Sequence, residues 1–187
     1  LLEQAVQQLK QHVDRGSGIG EQVQPSLPSD PRPPPPIINE KVLVAPLVTL
    51  DLPMTAYLPS DYIPDDTLRL GVYQRMVAAE QLDEVRGLRQ ELQDRFGDPP
   101  LPAMHLLTWL QIKALALQAG VTSVTTVGDE FIIRLPILEG PGRERLRRRY
   151  GRDPSVRVGP QFIRLNRRSI GDGWSEKLMG VLDVLAT

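Results

Sequence analysis

The chain has 187 residues, with 22 lysines and arginines against 23 aspartates and glutamates, a formal net charge of −1, and no cysteine. The missing cysteine excludes disulfides, thiol nucleophiles and cysteine-bound zinc, and it fits a reducing compartment. No apolar run reaches the roughly 18–20 residues that span a bilayer, and the polar periodicity of LLEQAVQQLKQH is not that of a secretory leader. A cytoplasmic protein without a membrane partner is therefore expected, of a length suited to one domain with extensions.

Charge is balanced only on average. Residues 1–100 carry 9 basic and 15 acidic side chains, whereas residues 134–168 carry 11 arginines against Glu139, Glu144 and Asp153. An acidic front and a basic back point to a nucleic-acid contact, or to two surfaces that attract each other or a partner.

In chain order, residues 1–15 predict a helix with the apolar stripe Leu2, Val6, Leu9 and Val13. Residues 16–41 predict a linker: Gly16, Gly18 and Gly20 open it, and Pro25, Pro28, Pro31 and the run from Pro33 to Pro36 stiffen it. Residues 42–187 form the domain proper. Val42 to Leu52 alternates like a strand, with Pro46 arguing for a bulge or an edge. YLPSDYIPDD keeps the chain extended until Asp65 or Asp66 caps a helix over 67–79, striped by Leu68, Val72 and Met76. A second helix over 82–96 carries Leu82, Val85, Leu88, Leu92 and Phe96, and Gly97 with the prolines beyond it ends that helix. A helix over 103–119 is apolar on most sides and so is expected to be buried. The last third changes period. Hairpins over 121–135 and 155–165 alternate with helices over 139–150 and 174–185, which predicts an α+β fold: a helical N-terminal half packed with a small antiparallel sheet made of short hairpins.

Signatures of chemistry are scarce. GxxxxGK[ST], GxSxG and HExxH are all missing. His12 and His105 stand on widely separated helices and read as ordinary surface or interfacial histidines. Asp61, Asp65 and Asp66 could hold a divalent ion or serve as an acid/base pair, but an aspartate before a helix is more often a cap. The arginine-rich stretch from Arg143 through Arg147, Arg148 and Arg149 to Arg168 reads as a solvated helix face, a contact to phosphates, or a surface for an acidic partner. With Tyr150 and Phe162 as its only aromatics, it is poorly equipped to stack single-stranded bases. Glu91, Asp94 and Arg95 share one face of the 82–96 helix at i, i+3 and i+4, either as a simple intrahelical pair or as a charged docking patch.

A longer ordered string is more specific. Asp61-Tyr62-Ile63-Pro64-Asp65, Arg69-Leu70, Tyr73, Arg75, Leu88-Arg89-Gln90-Glu91-Leu92, Asp94-Arg95-Phe96-Gly97, Pro100, Pro102, Leu106-Leu107 and Gly120-Val121 together resemble the C-terminal domain of bacterial transcription-repair coupling factors. LLEQAV looks like the helix that family carries just after its translocase motor, which would make residues 1–15 the trailing end of that motor. The proline-rich linker and the arginine run depart from the family pattern, and His105 stands where an asparagine is usual.

The resemblance implies a regulatory domain that is not an enzyme, in a parent that translocates on double-stranded DNA, displaces stalled RNA polymerase and recruits the excision-repair protein UvrA. It implies that this domain folds back on an N-terminal UvrB-like module and masks the UvrA-binding face, with Glu91, Asp94 and Arg95 at the contact. It implies no cofactor here; ATP and magnesium would belong to the parent's motor domains. An accessory DNA-binding domain working through the Arg143–Arg168 region is the competing reading.

Overall fold

The structure is a computed structural model that describes residues 48–136 and 140–187. The expected helix at 1–15, the linker at 16–41 and the start of the first strand lie outside the described residues.

The chain enters through β1 (Thr49–Leu50) and an extended stretch that runs to the first helix. Three helices follow: α1 (Asp66–Ala78), α2 (Leu82–Phe96) and α3 (Leu101–Gln118). The last third holds β2 (Ser123–Val127), β3 (Glu130–Arg134), α4 (Gly140–Tyr150), β4 (Val156–Val158), β5 (Phe162–Asn166), the short α5 (Arg167–Ile170), a 3₁₀ turn and α6 (Trp174–Ala186).

Local chemistry accounts for the boundaries. Asp65, rather than Asp66, caps α1, its Oδ1 accepting from the Leu68 amide at 2.8 Å. The carbonyls at the other end of α1 are met by Lys113, whose Nζ donates to Val77 (2.8 Å) and Ala79 (3.2 Å). Glu84 closes the start of α2, its carboxylate accepting from the Glu80 and Gln81 amides. α2 stops at Gly97, whose φ of 82° is left-handed and suits a residue without Cβ. α3 begins two residues earlier than the sequence pattern predicts. Pro102 sits in its first turn, where the missing amide hydrogen costs no helical bond.

Two hydrophobic cores result. α1, α2 and the extended stretch close around Ile63, Val72, Met76, Val85, Leu92 and Leu106. The sheet, α4 and α6 close around Phe131, Ile133, Leu146, Ile163, Leu165 and Leu178. α3 serves both: Ala103, Leu106, Leu107 and Leu110 fill the helical core, and Ile112, Leu115 and Ala116 fill the sheet core. Its apolar surface is wide because it has no solvent side to spare.

The sheet runs in the order β1-β2-β3-β5-β4. Two hairpins, β2–β3 and β4–β5, join through the antiparallel β3–β5 pair. The expectation of a purely antiparallel sheet is corrected at one edge, because β1 pairs with β2 in parallel. The whole helical half is the crossover between those two strands, and parallel neighbours need such a long connection.

Candidate functional site

The charged face of α2 is built from two helices. Glu91 lies on the margin of the buried Val85, Leu88 and Leu92 stripe, and Arg75 reaches it from the last turn of α1. Arg75 Nη1 donates to Glu91 Oε1 at 2.7 Å, its Nη2 pairs with Oε2, and Arg95 Nη1 donates to Oε1 at 2.9 Å. The hydrogen bonds from Arg75, and then those from Arg95, hold the Glu91 carboxyl down at about 2. Arg95 also lies over the Phe96 ring at 5.1 Å, and Phe96 meets Tyr62 edge-on at 5.9 Å between centroids. The Tyr62 hydroxyl is shared between the carbonyls of Leu92 (3.1 Å) and Gly97 (3.0 Å), which fixes the end of α2 to the incoming chain. Beside this network an open groove of about 480 Å³ is lined by Arg75, Ala78, Ala79, Glu84, Gly87, Leu88 and Glu91.

Of the three residues singled out on this helix, Glu91 and Arg95 are joined, and Asp94 stands exposed with no ion-pair partner among the described residues. Glu91 is occupied on both oxygens, so its carboxylate positions two guanidiniums rather than waiting for a ligand. Arg75 was not singled out as a site residue, because its partner lies 16 residues away on another helix and no periodicity marks the pair.

The arginine run divides. α4 turns Arg147, Arg148 and Arg149 to solvent in its last turn, where cations suit the helix dipole. Arg143 is half-buried, and Arg145 donates from Nε to the Val184 carbonyl at 3.3 Å, bracing the end of α6. The run is therefore not one face. Within the same Arg143–Arg168 stretch, strand register forms a second group: Arg157 and Arg164 stand directly opposite each other on β4 and β5.

The acidic cluster resolves into ordinary roles. Asp65 is the cap, Asp66 pairs with Arg69, and Asp61 is exposed. Among the described residues no three histidines, cysteines or carboxylates converge as metal ligands. His105 Nδ1 lies 3.0 Å from the Thr55 carbonyl, tying the extended stretch to α3; His12 lies outside the described residues. Among the described residues no helix is long and apolar enough to cross a membrane.

An α+β domain with a three-helix half and a mixed sheet has a counterpart among solved structures. A crystal structure titled as the C-terminal domain of transcription-repair coupling factor superposes with a TM-score of 0.60, covering 73% of this chain and 88% of that one, at 20% identity. That likeness establishes the fold. Residues 52–137, which span the helical half and the first hairpin, match the family described as the TRCF domain. The transcription-repair-coupling factor of Mycobacterium tuberculosis is 38% identical over 104 residues, 55% of this chain and 8% of that protein. The protein of the same name from Staphylococcus aureus is 33% identical over 100 residues, 54% of this chain and 9% of that one. The chain thus matches under a tenth of the length of these relatives.

Proposed function

We propose that this domain is a regulatory lid of a transcription-repair coupling factor. On this reading it docks on an N-terminal UvrB-like module and masks a UvrA-binding surface until RNA polymerase is engaged. The parent's ATP- and magnesium-dependent translocation on double-stranded DNA would lie in motor domains outside this chain. The observation that carries the reading is the Arg75–Glu91–Arg95 network, held rigid on the surface of α2 beside an open groove and an exposed Asp94.

The energetics set what such a patch can do. An exposed ion pair contributes about 0–1 kcal/mol. Moving a lid from 99% closed to 99% open takes a differential of about 5.5 kcal/mol. A few charges cannot hold the lid alone, and a covalent tether, which raises effective concentration to the order of mM, supplies the missing advantage. A patch of this kind is adequate in cis and weak in trans.

The test is Glu91→Arg combined with Asp94→Arg in the full-length protein, read by UvrA pull-down. UvrA capture is expected to rise, and Asp94→Arg alone is expected to give most of the gain because that carboxylate is the unengaged one. UvrA capture unchanged by the double substitution would remove this patch from the docking surface.

A further inference from the structure

The helices that contribute to the sheet's core, α3, α4 and α6, pack on one face of it: Val124, Phe131, Ile133, Ile163, Leu165 and Val156 all point into that core. Strand alternation sends the intervening residues to the other face. The ladder registers there align Thr125, Ile132, Arg164 and Arg157 in one row across four strands, with Ser123, Arg134 and Phe162 in the next row. Arg134, Arg157 and Arg164 are all exposed.

Arg157 and Arg164 form a directly opposed cross-strand pair of like charge, an arrangement that weakens a sheet. Arg164 is only loosely answered by Glu130 at 3.7 Å, and its guanidinium lies 4.9 Å from the Phe162 ring centre. Among the described residues the Arg157 guanidinium has no side-chain hydrogen bond or ion pair, and its backbone is tied up in the β4–β5 ladder. Between the two arginines lies a cleft of about 20 Å³, lined also by Glu130, Pro154, Ser155 and Asn166, and space of that order admits one water-sized oxygen.

We propose that this open sheet face binds the phosphate backbone of duplex nucleic acid, with Arg157 and Arg164 gripping one phosphate from both sides and Arg134 meeting a neighbouring one. An anion between the two guanidiniums converts their repulsion into two charge-assisted contacts. Ser123 and Thr125 on this face are side-chain types that hydrogen-bond phosphates, and Asn166, whose Oδ1 caps α5, keeps its amide nitrogen as a donor. Glu130 also lines the cleft, and a phosphate there takes its place beside Arg164. A protein partner would want large apolar anchors in pockets, and this face offers Ile132 and Phe162, both half-buried, and Val127 at the end of β2. A single strand would want free aromatic faces, but Phe162 has Arg164 on it and Gly159 packed against it. The inference is independent of the α2 patch.

The probe is a blunt duplex DNA of about 20 base pairs, two helical turns, titrated with the 187-residue chain by fluorescence anisotropy. With two phosphates engaged, affinity is expected to fall about 12-fold between about 50 and 200 mM salt; with only the phosphate at Arg134 left, about 3.5-fold. Arg157→Gln with Arg164→Gln should therefore weaken binding and lower the slope of log affinity against log salt by about 1. Arg147→Gln, Arg148→Gln and Arg149→Gln together should leave that slope in place. Circular dichroism checks the fold, and if the pair variant unfolds, Arg157→Gln alone should still weaken duplex binding, which the α4 triple variant should not. Duplex affinity and slope unchanged in the sheet variants, or lost instead in the α4 triple variant, would overturn the proposal. So would tighter binding of the single strand, or binding of a polyglutamate peptide without binding of the duplex, which would assign the face to an acidic protein.

Discussion

The α1–α2 surface and the outer face of the sheet handle charge differently, although the sheet half also pairs Arg168 with Asp129 and Lys177 with Asp153. Around α1 and α2 arginines find carboxylates: Arg69 with Asp66, Arg75 and Arg95 with Glu91, Arg86 with Asp83. On the outer face of the sheet Arg157 faces Arg164, and on α4 three consecutive arginines end in solvent. A paired network fixes geometry and recognises a surface with a matching pattern. Unpaired cations project a field and recognise an anion with little regard to pattern. If both proposals hold, one small domain offers two kinds of recognition.

Weakening each of the two cores in turn is the most severe test. Leu110→Ala in the helical core and Ile133→Ala in the sheet core should each cost about 3 kcal/mol, since both side chains are fully buried. Because α3 belongs to both cores, each variant should lower one common melting transition. Two separate transitions, followed by circular dichroism and tryptophan fluorescence, would show the halves to be independent.

Acid probes one anchor in each half. Glu91 is held at about 2 by Arg75 and Arg95. Asp153 is held at about 2 chiefly by the Lys177 ammonium, with Ser155 adding hydrogen bonds. Both folded values lie below the unfolded ones, so the stabilisation is complete above the unfolded values of 4.5 and 3.8 and is lost as pH falls towards 2. After solvent screening each is worth about 1 kcal/mol. Glu91→Gln and Asp153→Asn should each flatten part of the melting-temperature decline over that window.

The smallest effect carries the sign of the comparison. Arg75→Ala should destabilise by a few tenths of a kcal/mol, because it takes a partner from Glu91. Arg157→Thr should stabilise by a similar few tenths, because it relieves Arg164 and places a β-branched residue in a strand. Added salt should narrow both differences. Equal signs in chemical denaturation would erase the distinction between the halves.

Much of this was legible in the residues. The α2 boundaries follow from its apolar stripe and Gly97, and the two hairpins follow from alternation interrupted by Gly128-Asp129 and Gly159-Pro160. The Glu91–Arg95 pair is helical spacing read directly. What escaped was long-range. Pairing of β1 with β2 joins residues more than 70 positions apart, Arg75 reaches Glu91 from another helix, and Arg145 is captured by the end of α6.

Sequence by itself determined the elements, their caps, the charge asymmetry and the likeness to transcription-repair coupling factors, because period, capping chemistry and an ordered motif string are all local properties. Tertiary structure decided which arginines are answered and which are not. A guanidinium's partner depends on which helix packs beside it and on which strand register places it opposite another side chain. Packing of the buried faces sets both, and the arginines follow.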